Sequence, residues 1–399
     1  MSSNSPRLSP PGAQKSVVIL DVLRLLAALS VVAYHYFFYA STEETIGGIG
    51  EIAGYWLNYP GLVSYTWWGW VGVYVFFVIS GFVIAMSASD KSASEFAIGR
   101  FSRIYPALIV FSALALIVIL TESSVPASKS IASWFRSIIL FPRGPWIDGA
   151  IWTLTVEALF YAVIAVAIFF NVYRRIGGIV RFYTVLSTMF WIAVLYQQYG
   201  PGAPDGGILQ AVAESYKAKF FLLTTGSFFA VGMIFHEIYV LGNRFERSIF
   251  LYLAVLDSVA ALHTFSLSSA GVTQFGQNAI LPISVWLAAV AVIGCAIPME
   301  RLRTPSLFYR KIARQLGLMT YPLYLVHQIS GAFIIGILFQ IGLGRFFSPS
   351  VGIGIVVLIS WLFARHIEPG MRRRIDHACR TAIDQFTLRY AFQRTRNED

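Results

Sequence analysis

Three ionisable side chains interrupt the first long apolar stretch of the chain, residues 17–40. They are Asp21, Arg24 and His35, set among leucine, valine, isoleucine and alanine. A charge inside a membrane span is costly, so such groups face the protein interior with a partner or a task. On an α-helix His35 follows Arg24 by three turns plus about 20°. Both side chains then project from one face, roughly 16 Å apart along the axis. Asp21, three positions before Arg24, sits close to that face. Imidazole titrates near neutrality, which suits it to proton transfer.

Further blocks carry chemistry in the same way. Arg100 and Arg103, in Gly99-Arg-Phe-Ser-Arg-Ile-Tyr-Pro106, project together from one helical turn. Two convergent guanidiniums suit the phosphates of a large anionic ligand, and they equally suit anchoring at a membrane surface. Glu157, in Trp152-Thr-Leu-Thr-Val-Glu157, falls about two turns into a span, at a depth like that of His35. A buried carboxylate there needs a histidine or arginine partner. Ser80-Gly81 permits close helix packing or clears a path for a thin ligand. Tyr321, Tyr324 and His327 recur at three-residue steps along one face, as site residues or as their support. Pro322 frees a backbone carbonyl beside them. His236-Glu237 lacks the second histidine of a zinc motif. His366 and Glu368-Pro369 read as a span boundary with a structural pair. Cys295 and Cys379 offer neither a disulfide framework nor metal-ligand spacing.

The elements that must position these residues are membrane helices. Hydrophobic residues make up 57% of the 399, and charged residues 13% against about 25% in soluble domains. Mean hydropathy is +0.66. Apolar runs predict an all-α polytopic membrane bundle of about ten helices: 17–40, 70–88, 104–121, 150–170, 182–199, 219–238, 249–267, 278–297, 317–340 and 349–367. With the N-terminus inside, the outer loops hold only Lys129, Arg136, Arg143, Lys217, Lys219 and Arg345 of the 30 basic residues, and Arg24 is intramembrane. Such a bias places both termini in the cytoplasm. It also explains the net charge of +10 without nucleic acid. Tryptophans at 67, 68, 70, 146 and 152 mark the outer interface. The chain divides into a polar tail (1–16), a membrane domain (17–369) and a basic tail (370–399) that reads as a surface helix on the anionic inner leaflet. A transporter or flippase using the intramembrane charges as a relay fits these residues as well as an enzyme does. A non-catalytic scaffold, with the same charges as structural pairs, is a further alternative.

In this order the blocks resemble the acyltransferase-3 family of multi-pass membrane acyltransferases. The resemblance rests on Leu20-Asp21-Val-Leu-Arg24 with His35, Phe77-Val-Ile-Ser80-Gly81-Phe82, Arg100-Phe-Ser-Arg103-Ile-Tyr-Pro106, Trp152-Thr-Leu-Thr-Val-Glu157 with Phe160-Tyr161, and Tyr321-Pro-Leu-Tyr324-Leu-Val-His327. Leu25 and Gly99 depart from the family pattern. The resemblance implies transfer of an acyl group, commonly acetyl, from cytoplasmic acyl-CoA to a hydroxyl of a glycan or lipid-linked saccharide at the outer face of a bacterial inner membrane. Exopolysaccharide and O-antigen are typical acceptors, and no metal is implied. Some members carry a fused extracytoplasmic domain; none is expected here, so the chain is expected to act alone or with a separate periplasmic partner. On this reading His35 is general base or acyl carrier, Glu157 orients it, and Arg24 stabilises the oxyanion or pairs with Asp21. Arg100 and Arg103 hold the CoA phosphates, and the pantetheine arm passes Ser80-Gly81. Asp21, Tyr324 and His327 support the site.

Overall fold

The computed structural model describes residues 17–42, 46–54, 56–201, 207–302 and 306–398. Residues 1–16, expected as a polar tail, lie outside that set. The helices that position the site are α1 (Val18–Tyr34), α2 (Gly72–Ala88), α3 (Ala93–Glu122), α4 (Ile151–Phe169), α5 (Ile176–Tyr199) and α6 (Gly226–Leu241). They continue as α7 (Phe245–Leu267), α8 (Ile280–Leu302), α9 (Leu307–Val326), α10 (Ile329–Gln340), α11 (Gly344–Leu362) and α12 (Glu368–Glu398). No strand occurs among the described residues.

The protein is a polytopic membrane bundle of helices. Eight helices among the described residues are long and apolar enough to cross a bilayer. The expected segment 317–340 is not one straight span: α9 and α10 meet at 75° across His327 and Gln328. The expected segment 219–238 is the short α6, whose 16 residues reach about 24 Å against a hydrocarbon core of about 30 Å. With the broken pair and the short helix included, every expected segment has its counterpart. The basic tail is helix α12, joined to α11 through the turn Phe363–Ile367 without a break.

Central position follows from composition. Helix α2 is apolar on every side and is buried almost throughout, as such a helix must be when neighbours surround it. It crosses α6 backbone to backbone. A Cβ added at Gly81 would overlap the Phe229 carbonyl, and one at Gly232 would overlap the Val78 carbonyl. Small residues at a crossing let two helices gain contact that lipid cannot replace. Gly81 therefore faces α6, and the path for a thin ligand expected beside it is filled by that helix. The start of α1 is held by α8: the Glu300 carboxylate accepts from the Val18 and Ile19 amides at 2.9 and 2.8 Å. These are N–H groups that no turn of the helix satisfies, at the positive end of its dipole.

Two irregularities meet beside α4. Helix α1 ends in a π turn, His35–Tyr39, and the α9–α10 break lies opposite. Non-helical backbone at membrane depth persists only where protein satisfies it. Here the Tyr36 hydroxyl donates to the His327 carbonyl. The Gln328 side-chain oxygen accepts from the Ala150 amide at 2.8 Å. Gly331 makes room for the Tyr36 hydroxyl, which a Cβ would strike.

Replacing Gly81 by leucine should force α2 and α6 apart, at a cost of about 1–3 kcal/mol or more. Thermal unfolding in detergent should show a lower midpoint and a smaller monodisperse fraction. Gly99→Ala, whose Cβ meets nothing within 4 Å, should leave both unchanged. Equal behaviour of the two variants would contradict the crossing described.

Candidate active site

His35 and His327 face each other across the two irregularities. His327 Nε2 lies 3.0 Å from His35 Nδ1, and the ring centroids are 4.9 Å apart. Their partners assign the protons of the neutral forms. A carbonyl only accepts, so His327 Nδ1, 2.9 Å from the Tyr324 carbonyl, carries a hydrogen and Nε2 keeps its lone pair. His35 Nδ1 is 3.0 Å from the Val31 carbonyl as well as from that lone pair. Both neighbours accept, so the hydrogen of His35 sits on Nδ1. Nε2 of His35, with no hydrogen-bond partner among the described residues, is left as the free base of the pair. His327 is 0% exposed, whereas His35 is partly exposed and flanked edge-on by Tyr34 and Tyr39 at 5.1 and 5.4 Å.

A cavity of about 680 Å³ approaches this pair from the arginine-rich end of the bundle. Arg24, Arg100, Arg103, Arg310, Arg314 and Arg372 line it, with Ser80, Glu157 and Tyr161 further along, and Phe76, Thr153 and Tyr324 towards the histidines. Neither His35 nor His327 lines it. Tyr324 is the partition. Its ring is 5.7 Å from His327 and 6.1 Å from Phe76, and its hydroxyl is 3.0 Å from Thr153 Oγ1.

The arginines are not equivalent. Arg24 pairs with Asp21 at 3.0 Å, and Asp21 rests where Gly317 leaves no side chain in its way. Arg103 pairs with Glu368 at the start of α12, a partner that the sequence reading did not assign to either residue. Arg100 is 3.3 Å from Ser87 Oγ and lies over the rings of Phe96 and Tyr161, and its buried Nε has no partner among the described residues. No carboxylate pairs with Arg100, Arg310, Arg314 or Arg372 among the described ion pairs. A cavity mouth with uncommitted guanidiniums attracts phosphates.

Glu157 has a different position from the one expected. It accepts from the Ser80 and Tyr161 hydroxyls, and the place beside His35 belongs to His327. The reason is geometric: Ser80 on α2 and Tyr161, one turn along α4, reach the carboxylate directly. Arg310, Arg314 and Arg372 were not expected at the site. Arg310 and Arg314 stand four apart on α9, on the stripe that continues through Gly317, Tyr321 and Tyr324. That spacing was the available signal.

Fold and site together define a polytopic membrane protein with a free imidazole nitrogen beyond a basic cavity. The chain belongs to the acyltransferase-3 family, whose model, described as an acyltransferase domain, matches residues 17–365. It is also similar to an O-acetyl transferase of Shigella phage Sf6, 30% identical over 164 residues. That match takes in 37% of this chain and 45% of the phage protein, so it spans less than half the relative's length. No solved structure matches the chain.

The proton assignment has a direct check. Nitrogen-15 spectra of histidine-labelled protein at neutral or higher pH should show His35 as the Nδ1–H tautomer, its signal identified by loss in His35→Gln. A neutral His35 protonated on Nε2 would contradict the hydrogen-bond chain.

Proposed function

We propose that the protein transfers an acyl group, acetyl, from cytoplasmic acyl-CoA to a hydroxyl of an extracytoplasmic or lipid-linked glycan such as exopolysaccharide or O-antigen. The observation that carries this reading is the unshared Nε2 of His35 held beyond an arginine-lined cavity. Its setting is the bacterial inner membrane, with both termini and the arginine-rich end cytoplasmic, as the distribution of basic residues supports. The name of the phage relative supports acetyl as the group.

The donor's phosphates bind at the mouth, on Arg100, Arg310, Arg314 and Arg372, and on Arg103 as it exchanges Glu368 for phosphate oxygen. The pantetheine arm then runs past Arg24 and the Ser80–Glu157–Tyr161 group, where its amide N–H groups find carboxylate and hydroxyl acceptors. Phe76 or Tyr324 turns aside for the thioester to reach the histidines. The acceptor approaches the partly exposed side of His35, beside Tyr34 and Tyr39.

His35 Nε2 takes the proton of the acceptor hydroxyl as its oxygen attacks the thioester carbonyl. The tetrahedral intermediate collapses with cleavage of the carbon–sulfur bond. The thiolate leaves with the proton returned from His35 Nε2. Meanwhile the positive charge on His35 is shared through Nδ1–H with the lone pair of His327, which stands where a triad has its carboxylate. Glu157 and Arg24 serve the donor path, not the reacting carbonyl.

Mass spectrometry of the surface glycan from cells with and without the protein tests this proposal. O-acyl groups should depend on the protein and vanish in His35→Ala, a loss of at least about 100-fold for a general base. Full acylation by His35→Ala would overturn the mechanism. Arg100→Ala should weaken donor binding by about 10-fold or more, for a charge-assisted phosphate contact of about 1.5–3 kcal/mol. An unchanged KM for acyl-CoA would remove the mouth from the donor site.

Replacing His327 separates orientation from charge sharing. His327→Gln keeps an oxygen that accepts from His35 Nδ1–H but cannot take a proton. It should retain more activity than His327→Leu and shift the pH profile of kcat. Equal activities of the two variants would show that His327 only fills space.

A further inference from the structure

A second cavity, of about 590 Å³, opens between α2, α5 and α6 at the arginine-rich end and shares no lining residue with the first. Its inner carboxylate is already matched, and His236 packs edge-on against Phe82 at 5.5 Å. Glu237 accepts from Arg181 at 2.5 Å and from Arg247 at 3.0 Å, and Arg181 also reaches Glu246 at 3.2 Å. The Tyr173 hydroxyl donates to the Ala85 carbonyl at 3.0 Å. Two lining charges remain. Arg174 and Arg175 are exposed and make no ion pair among the described residues.

The walls beside these arginines are apolar, built from Met233, Ile234, Val240 and Leu241 of α6. Outside the cavity, Phe170, Phe182 and Phe245 are 67%, 67% and 84% exposed. Large apolar side chains so exposed on a membrane bundle face lipid. A ligand that fits has an anionic head and an aliphatic body next to it. We infer that this cavity holds the headgroup of an anionic phospholipid, with the phosphodiester on Arg174 and Arg175 and the glycerol against the end of α6.

The length of α6 supports the same occupant. The helix falls short of a bilayer core by about 6 Å, and its last residues, Val240 and Leu241, wall the cavity. A span too short for its membrane draws headgroups inward or thins the bilayer locally. Guanidiniums at the recess give an anionic headgroup a reason to be the one drawn in. A free phosphate would use the arginines and leave the apolar wall bare.

Native mass spectrometry of the protein extracted from vesicles of phosphatidylglycerol and phosphatidylcholine tests the inference. Wild-type protein should retain phosphatidylglycerol in preference to phosphatidylcholine. The double variant Arg174→Gln/Arg175→Gln should retain it roughly thirty-fold less, as expected for two arginines near a lipid surface. Arg373→Gln/Arg374→Gln, which removes the same charge from α12, should retain it as wild type does. His35→Ala should also bind the lipid normally, which keeps this site distinct from the catalytic reading. Equal retention of the two lipids by the wild-type protein would overturn the inference even if the double variant failed to fold. An equal fall in the two arginine pairs would leave only diffuse surface charge. Displacement of the lipid by inorganic phosphate would make the cavity a soluble-anion site and end the proposal.

Discussion

The contact between His35 and His327 depends on two departures from regular helix, a π turn after α1 and a 75° break between α9 and α10. Neither would persist in lipid without partners, because unsatisfied backbone in hydrocarbon costs several kcal/mol per group. The partners come from the π turn, from the break itself and from α9. Tyr36 holds the His327 carbonyl, Gln328 holds the Ala150 amide, and the Tyr324 carbonyl holds His327 Nδ1. The last of these bonds also sets the tautomer of His327, whose bare Nε2, with the Val31 carbonyl, sets that of His35. A base with an unshared nitrogen is the product of that repair. Functional sites often sit at π turns for this reason: the extra residue re-aims a side chain that a uniform helix would leave elsewhere.

Electrostatics give the bundle a direction. Six arginines line one cavity, yet only Arg24 and Arg103 have carboxylate partners among the described residues. Arg24, the deepest on α1, is paired with Asp21, as an isolated charge there would be expensive. Of the unpaired ones, Arg314 and Arg372 are exposed at the mouth, where water or a polyanion can reach them. Past Glu157 the lining turns neutral, and Tyr324 with Phe76 closes the way to the histidines. Charge is thus concentrated where a donor would first bind and is excluded from the place where a thioester would react. The cavity on α5 and α6 follows the same rule on a smaller scale, with paired charges inside and free ones at the rim.

Much of this was legible in the sequence, and the remainder was hidden for identifiable reasons. His35, Arg24, Arg100 and Arg103 announce themselves because a charge in an apolar run needs no neighbour to look unusual. Membrane segments were equally plain, since length and hydropathy are local properties. Partnership is not local. Glu157 seemed suited to His35 by depth alone, but depth does not fix rotation, and Ser80 and Tyr161 reach it first. Gly81 could have served a ligand or a crossing, and only the position of Gly232 on α6 decides between them. The break at His327 left a single trace, Pro322, five residues early. The arginine stripe through Arg310 and Arg314 was periodic enough to find, but it looked like the ordinary positive charge of an inner-membrane loop.

On the proposed mechanism a donor anchored at the arginines delivers its carbonyl to His35 Nε2. Cryo-electron microscopy of the protein with a non-transferable acetyl-CoA analogue in a lipid nanodisc measures that directly. Phosphates should lie on Arg100 and its neighbours, the arm along Glu157, Tyr324 or Phe76 turned aside, and the carbonyl carbon about 3–3.5 Å from the position of a hydroxyl held by His35 Nε2. A carbonyl that stays on the arginine side of an unmoved Tyr324, or an analogue bound outside this cavity, would contradict it.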